Sequence, residues 1–372
     1  MNYSRRDFGK LALAGLPAAA LLGRSDILFA AAQQAAKPNS KFGGVQIGTI
    51  TYSYRSMPDQ SAEAILKYVV DSGVSAIELM GAPVEDYAQK RTGFTPPGGG
   101  GRGRGPGGPG GAAGAAMVVP PGSYDGKPCP AVRAPGAGGG GGGRGPATPE
   151  QMAAAEATRK WQQGLSMDTF KDLRKMYNDA GVSIYAVKNL NLNGTDDDLD
   201  FEFTVGKTMG ATHLTAELPA HSDTSTATLK RVGDMALKHG MFAAYHTHLQ
   251  GTINVFDEAF AASAGNKANI DFGHYVAAGE KGGTPMDFLN KFHDRIGSFH
   301  LKDRTLPEHC SLNLEWGKGD TPIKEILLLV QKNKWPLPAT IDRAAPGRQR
   351  DRTARLVRVP VSPPIQQFRV LP

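Results

Sequence analysis

The chain has 372 residues, a formal net charge of +7 and two cysteines. Seven arginines and one aspartate fall between Arg343 and Pro372, which leaves +1 for everything before them. The basic balance therefore belongs to that tail and not to a nucleic-acid surface, and no DNA or RNA recognition motif is present. Two cysteines cannot build a thiolate metal site. A disulfide between Cys129 and Cys310 is permitted in an oxidising compartment, but nothing in the sequence argues for one.

The chain opens with Ser4-Arg5-Arg6-Asp7-Phe8-Gly9-Lys10, followed by an apolar run from Leu11 to Leu22. Paired arginines before such a run match the twin-arginine export pattern. The run is too short and too rich in Ala and Gly for a membrane span. Ala30, Ala31 and Ala32 offer small cleavage positions. Residues 1–36 are expected to be a signal peptide and linker, with the mature chain periplasmic or otherwise exported and without a stable membrane span after cleavage.

Val45 to Thr51 alternates and predicts strand 1. Ser61 to Ser72 has helical spacing through Ala64, Ile65, Tyr68 and Val69, and Gly73 closes it. Ser75 to Leu79 predicts strand 2, with Glu78 opposite in parity to Ile77 and Leu79. From about Thr95 to Thr148 the composition collapses into Gly, Pro, Ala and Arg, which cannot bury enough apolar surface to offset its ordering entropy. Residues 95–148 are expected to be a disordered low-complexity insertion in the loop after strand 2. Its Arg102, Arg104, Arg133 and Arg144 are a weak signal for an anionic ligand.

Helical spacing resumes from Pro149 to Asn178, with Ser166 capping a second helix and Gly181 ending it. Strand 3 is predicted over Ser183 to Lys188. A helix over Asp198 to Met209 leads to strand 4, Ala211 to Glu217, where His213, Thr215 and Glu217 share a face. A helix over Thr226 to His239 leads to strand 5, Met241 to His246. Strands 6, 7 and 8 are predicted over Ala268 to Phe272, Gly297 to Leu301 and Ala339 to Asp342. Strands alternating with helices at this spacing predict an α/β fold, a (β/α)8 TIM barrel over residues 37–342, of about 250 residues plus extras.

The chemistry gathers at the C-terminal ends of those strands, where such a barrel builds its active site. Side chains alternate along a strand, so His246 and His248 share one face of theirs and His300 and Lys302 share one face of theirs, which stacks these polar groups on one side of the sheet. The mouth would hold Glu78, Lys188, Glu217, His246, His248, Asp271, His274, His300, Lys302 and Asp342. Imidazoles and carboxylates without thiols suit one divalent metal ion, and the set does not choose among Mn, Co, Zn and Mg. Such an ion polarises a carbonyl and stabilises the enediolate formed when a proton leaves the adjacent carbon. His213 lies deeper in its strand and is expected to be structural. His221, His239, His293 and His309 fall on helices or loops.

Four stretches carry a family resemblance: Ala76-Ile77-Glu78-Leu79, Ala244-Tyr245-His246-Thr247-His248, Ile270-Asp271-Phe272-Gly273-His274 and His300-Leu301-Lys302-Asp303. A fifth, Glu315-Trp316-Gly317-Lys318-Gly319-Asp320, is similar to a Gly-x-Gly-acidic stretch before the last helix. With these the chain resembles the sugar phosphate isomerase/epimerase family, the xylose isomerase-like TIM barrels, over residues 43–342. The resemblance implies one divalent metal held by four ligands. Asp271 and His300 match the strand 6 and strand 7 ligands, Asp342 falls where the family has Glu, and the fourth is Glu217 or His246. Whichever of these is left, or His248, would be the base. Lys302 would contact a substrate oxygen, and Glu78, Lys188 and His274 would bind substrate.

The implied activity is proton transfer next to a carbonyl of a small-molecule sugar or keto-sugar. A lyase eliminating across a 3-keto-glycoside and a non-catalytic, decayed sugar-binding barrel are the alternatives. The family continues past strand 8 with a further acidic residue and a closing helix. Here Arg343-Ala344-Ala345-Pro346-Gly347-Arg348 intervenes, and Pro360, Pro363 and Pro364 forbid a continuous helix. The atypical tail over 343–372 resembles a shifted reading frame of GC-rich DNA.

Overall fold

Eight strands of mostly buried residues close into a parallel barrel in the computed structural model, which describes residues 37–97, 117–118, 122–130, 132–133 and 148–342. The expected signal peptide over 1–36, the tail over 343–372, and Arg102, Arg104 and Arg144 lie outside the described residues. The barrel strands are β1 (Val45–Ile50), β2 (Ala76–Met80), β3 (Ser183–Lys188) and β4 (His213–Glu217). They continue with β5 (Phe242–His246), β6 (Asn266–Asp271), β7 (Ile296–Leu301) and β8 (Ala339–Ile341). Each pairs in parallel with its neighbours in sequence, and β8 pairs with β1 to close the ring. Strands of such a barrel are covered on both faces, which is why Ala76 to Leu79 is buried at every position. The expected strand ends differ from these by one or two residues.

The helices are α1 (Ala62–Asp71), α2 (Gly81–Thr92), α3 (Pro149–Gln163), α4 (Met167–Asp179) and α5 (Asp196–Met209). After them come α6 (Asp223–Lys238), α7 (Asp257–Ala262), α8 (Phe272–Ala277), α9 (Pro285–Phe292) and α10 (Ile323–Asn333). Their starts are set by side-chain caps. Ser61 accepts from Ala64 N, and Thr148, Thr195, Ser222 and Thr284 form capping boxes. Their inner faces meet the outside of the barrel in one continuous apolar core that includes Phe203, Tyr245, Phe272, Phe288 and Phe299. None of the helices is long and apolar enough to cross a membrane, among the described residues.

Two features depart from expectation. Helix α2 follows β2 directly, so a helix separates the strand from the insertion. Its short apolar stripe of Val84, Tyr87 and Ala88 follows a proline that the first turn tolerates. The insertion itself is not featureless. Ser123–Tyr124 and Lys127–Pro128 pair as a hairpin, with Asp125 (φ 53°) and Gly126 (φ 71°) at its tip, the left-handed pair of a type I′ turn. A disulfide between Cys129 and Cys310 ties this hairpin to the loop after β7. Gly122 (φ 117°) lies against the Glu308 backbone, whose carbonyl occupies the space a Cβ would need. At this hairpin the expectation of disorder, which rested on composition, is not met, because composition does not register a covalent cross-link to a folded loop.

Candidate active site at the barrel mouth

The strand registers bring the site together. Asp271 pairs with His300 across β6 and β7, and His246 pairs with Glu217 on one side and Asn269 on the other. A register shift between Ala268 and Asn269 re-aims the end of β6 relative to β7. The result is a buried cluster of His246, Asp271, His300 and Asp342, whose ligand atoms lie within 4.8 Å of one another. A second cluster, Glu217, His246 and His248, shares His246 and opens towards solvent.

Hydrogen bonds settle which ring nitrogen of each histidine faces the buried cluster. His246 Nδ1 donates to Asn269 Oδ1 at 2.8 Å, which leaves Nε2 free. His300 Nε2 donates to Glu78 Oε2 at 2.7 Å, and its Nδ1 lies 3.4 Å from Asp342 Oδ2. Burial pushes His246 down to about 3, so its free nitrogen is an open lone pair at neutral pH. Burial would also lower His300, but Glu78 and Asp342 outweigh it and hold the ring up at about 9. Asp271 spends Oδ1 on the backbone N–H of His274, capping α8 at 2.9 Å. Its Oδ2 has only an ion pair, 3.0 Å from Lys302 Nζ, and Asp342 Oδ1 has no hydrogen bond at all.

These residues fit a divalent ion. Ligand atoms on opposite sides of an ion bound at about 2.1 Å stand about 4.2 Å apart, so small shifts would close the cluster around one. A buried, unpartnered carboxylate oxygen such as Asp342 Oδ1 is costly unless a cation takes it up. Glu78, Asp271 and Asp342 are all buried, with Lys302 as the ammonium among them. With His300 neutral as a ligand, those four charges and a dication sum to zero. The two imidazoles and two carboxylates do not choose the metal.

The structure places the remaining predicted residues differently from one another. Glu78, expected to touch substrate, has no exposed surface: it accepts from Thr215 Oγ1 at 2.7 Å and from His300 beneath the cluster. Burial works against its charge, but His300 holds the carboxyl well below its usual range. Lys302 Nζ lies 2.9 Å from Asp342 Oδ2 and 3.0 Å from His274 Nε2, besides its pairing with Asp271. The ammonium is thus engaged with protein groups and not presented to a substrate oxygen. Gly273 makes this possible, because a Cβ there would meet Lys302 Cβ at 2.7 Å and its carbonyl oxygen at 2.6 Å.

His274 is held between two cations: Arg304 Nη1 lies 2.6 Å from its Nδ1, opposite Lys302. Burial and Lys302 keep this ring neutral. It stacks on His248, with centroids 4.8 Å apart at 14°. At the rim, Glu217 is half exposed; its Oε1 accepts from Lys188 Nζ at 2.7 Å and its Oε2 lies 3.2 Å from His248 Nε2. Glu217 therefore stands outside the buried four, and His246 completes them. His213 is structural, as expected: buried between Thr212 and Ser298.

Asn269, Ser298 and Arg304 complete the arrangement and were not anticipated. Asn269 and Ser298 each lie two residues before a member of the buried cluster, on the same strand face, so the alternation that placed Asp271 and His300 at the mouth also points to them. Asp303 accepts from the backbone N–H groups of Gly317 (2.6 Å), Lys318 (3.0 Å) and Gly319 (3.0 Å), which gives the Gly-x-Gly stretch a structural role.

No protein-family model matches the chain, and no curated protein does. Solved structures do. A sugar phosphate isomerase/epimerase from Parabacteroides distasonis aligns at 14% identity with a TM-score of 0.51, covering 87% of this chain and 99% of its own. This chain shares the (β/α)8 barrel fold of that structure. A xylose isomerase domain protein from Alicyclobacillus acidocaldarius aligns at 14% identity and a TM-score of 0.49, covering 84% of this chain and 95% of its own. A D-allulose 3-epimerase from Methylomonas sp. aligns at 13% identity and 0.43, covering 81% and 85%.

Proposed function

We propose that the chain is a divalent-metal-dependent sugar isomerase or epimerase, acting on a sugar or keto-sugar by proton transfer next to a carbonyl. The observation that carries this is the pairing of a buried His246–Asp271–His300–Asp342 cluster with an exposed carboxylate a few ångströms beyond it. A divalent ion in that cluster would polarise the substrate carbonyl and steady the developing enediolate oxygen.

The chain's own residues supply the rest. Glu217 is the candidate base at the mouth, exposed enough to meet a substrate C–H. Lys188 and His248 hold its carboxylate from both oxygens. Partial burial opposes its charge, but His248 and Lys188 hold Glu217 below the usual carboxylate range, so it is ionised at neutral pH. His274 stacks behind His248 and fixes its plane. Lys302 keeps Asp271 and Asp342 ionised and aimed inward. The sugar phosphate isomerase/epimerase neighbour supports the substrate class, and twin-arginine export, proposed from Arg5-Arg6, would favour an unphosphorylated sugar.

The test is proton exchange. Purified chain, loaded separately with Mn2+, Co2+, Zn2+ or Mg2+, is incubated with keto-sugars in D2O. Metal-dependent deuterium incorporation next to the carbonyl with conserved mass otherwise supports the reading. Release of an aglycone identifies the lyase instead. Stoichiometric metal binding with no exchange on any keto-sugar overturns the isomerase reading.

A further inference from the structure

We infer that Glu78 is a positioning residue that fixes the metal-facing nitrogen of both histidines from beneath the site; the inference rests on the metal reading above. Glu78 sits on β2, across the barrel from the ligands on β5 and β7. Its carboxylate has no exposure, and only donors surround it: Thr215 Oγ1 on Oε1 at 2.7 Å, and His300 Nε2 (2.7 Å) and Asn269 Nδ2 (3.3 Å) on Oε2. A carboxylate can only accept, so each neighbour must turn a proton towards it.

That single constraint propagates. His300 must carry its ring proton on Nε2, so its ligating atom is Nδ1, the nitrogen near Asp342. Asn269 must turn its amide nitrogen towards Glu78, which points its Oδ1 at His246. His246 must then carry its proton on Nδ1 and present Nε2. The same amide nitrogen donates to Ser298 Oγ at 2.8 Å, so the serine proton goes to His213 Nε2 at 2.9 Å, and His213 Nδ1 donates to Thr212 Oγ1 at 2.9 Å. Every donor in this hydrogen-bond network meets an acceptor, and the direction of each is set by the carboxylate at its centre. The two histidines thereby ligate through opposite nitrogens, which suits rings reaching one point from adjacent sides of the barrel. Their centroids are 4.6 Å apart at 55°. Carboxylate partners of metal-bound histidines act in this way, and their loss typically lowers affinity about 10–100-fold.

The test uses full-length chain labelled with 15N-histidine, with Zn2+ as the diamagnetic probe. Long-range 1H–15N correlation spectra locate the ring protons, and titration against a competing chelator gives the affinity. Zn2+-loaded wild type is expected to keep protons on His300 Nε2 and His246 Nδ1. Glu78→Met, which removes the acceptors at similar volume, is expected to lose about 10–100-fold in Zn2+ affinity and to scramble both signatures. Glu78→Gln, which can still accept from His300, is expected to keep the proton on Nε2 and to recover part of the affinity. Glu78→Met with wild-type affinity and unchanged ring protons overturns the inference. Should Glu78→Met fail to fold, the wild-type spectrum still decides, because ligation through His300 Nε2 overturns the assignment while leaving the metal reading intact. Wild type that takes up no Zn2+ overturns the metal reading itself.

Discussion

Glu78 and Glu217 both project from barrel strands at the mouth, one on β2 and one on β4. Glu78 is wholly buried, with donors on both oxygens, while Glu217 has a side chain 51% exposed and held by Lys188 and His248. The floor around Glu78 is a saturated network in which each atom's partner is dictated, and the rim around Glu217 is open to an incoming molecule. Removing a charge from the floor should therefore unfold or unload the protein. Removing one from the rim should leave the fold intact and stop the chemistry.

The largest effect is expected at His300. His300→Ala strips Glu78 of its imidazole partner and leaves a buried carboxylate uncompensated, which should cost about 3–5 kcal/mol. Metal binding should be lost with it. Urea unfolding with and without added metal measures both, and a loss below about 1 kcal/mol would show that the floor is wetter or looser than its burial implies.

The next effect tests a third region, the hairpin wall. Cys129 and Cys310 are 181 residues apart in sequence. Loop-closure entropy puts the cross-link at about 5 kcal/mol at most, and native disulfides usually contribute about 2–4 kcal/mol. Cys129→Ser with Cys310→Ser should lower the unfolding free energy by that amount. The loss should reach the site as well. Cys310 adjoins Ser311, whose carbonyl accepts from Arg304 Nη2 at 2.5 Å, and Arg304 in turn holds His274. Metal affinity unchanged in the double variant would confine the disulfide to a structural role at the rim.

pH separates members of the floor from one another. Burial holds His213 down at about 4 and His246 at about 3, so each contributes stability that is complete above the unfolded value near 6.5 and is lost as pH falls. His300 is the reverse: held up at about 9, its contribution is complete below 6.5 and is lost as pH rises towards 9. Chelator-treated protein should therefore be most stable near pH 6.5. The alkaline arm has a slope of at most about 1.4 kcal/mol per pH unit for its one proton. Saturating metal should flatten that arm, since His300 then ligates as the neutral ring. A melting profile in which metal leaves the alkaline arm unchanged would remove His300 from the ligand set.

The barrel was legible because its strands are short apolar runs that alternate with helices, and because the Ser166 cap and the glycines Gly73 and Gly181 mark where helices begin and end. Parity placed Asp271 and His300 at the mouth among ten polar residues, and the family resemblance singled them out as candidate ligands; the structure brings both into the buried cluster. The choice between Glu217 and His246 was not legible, since adjacent strands present both at one register level and only their burial separates them. The burial of Glu78 was hidden for the same reason: parity says which face a side chain takes, not how much of it neighbouring side chains cover. The hairpin had a local signal, Asp125-Gly126 between two short extended pairs, which the surrounding glycines masked.

Glu217→Gln makes the smallest change to stability and the sharpest test of the comparison. The substitution keeps the volume and a hydrogen-bonding group for Lys188 while removing the charge. Its half-exposed ion pairs with Lys188 and His248 should contribute no more than about 1 kcal/mol. Metal content should stay at the wild-type level, because Glu217 lies outside the buried four. Turnover should fall by about 10²–10⁴-fold, the usual contribution of a positioned general base. Deuterium exchange on the substrate, read beside metal stoichiometry, makes the outcome unambiguous. Loss of metal in this variant would move Glu217 from the rim to the ligand set and leave His248 as the base, whereas intact metal with lost exchange would divide the mouth into a floor that binds and a rim that reacts.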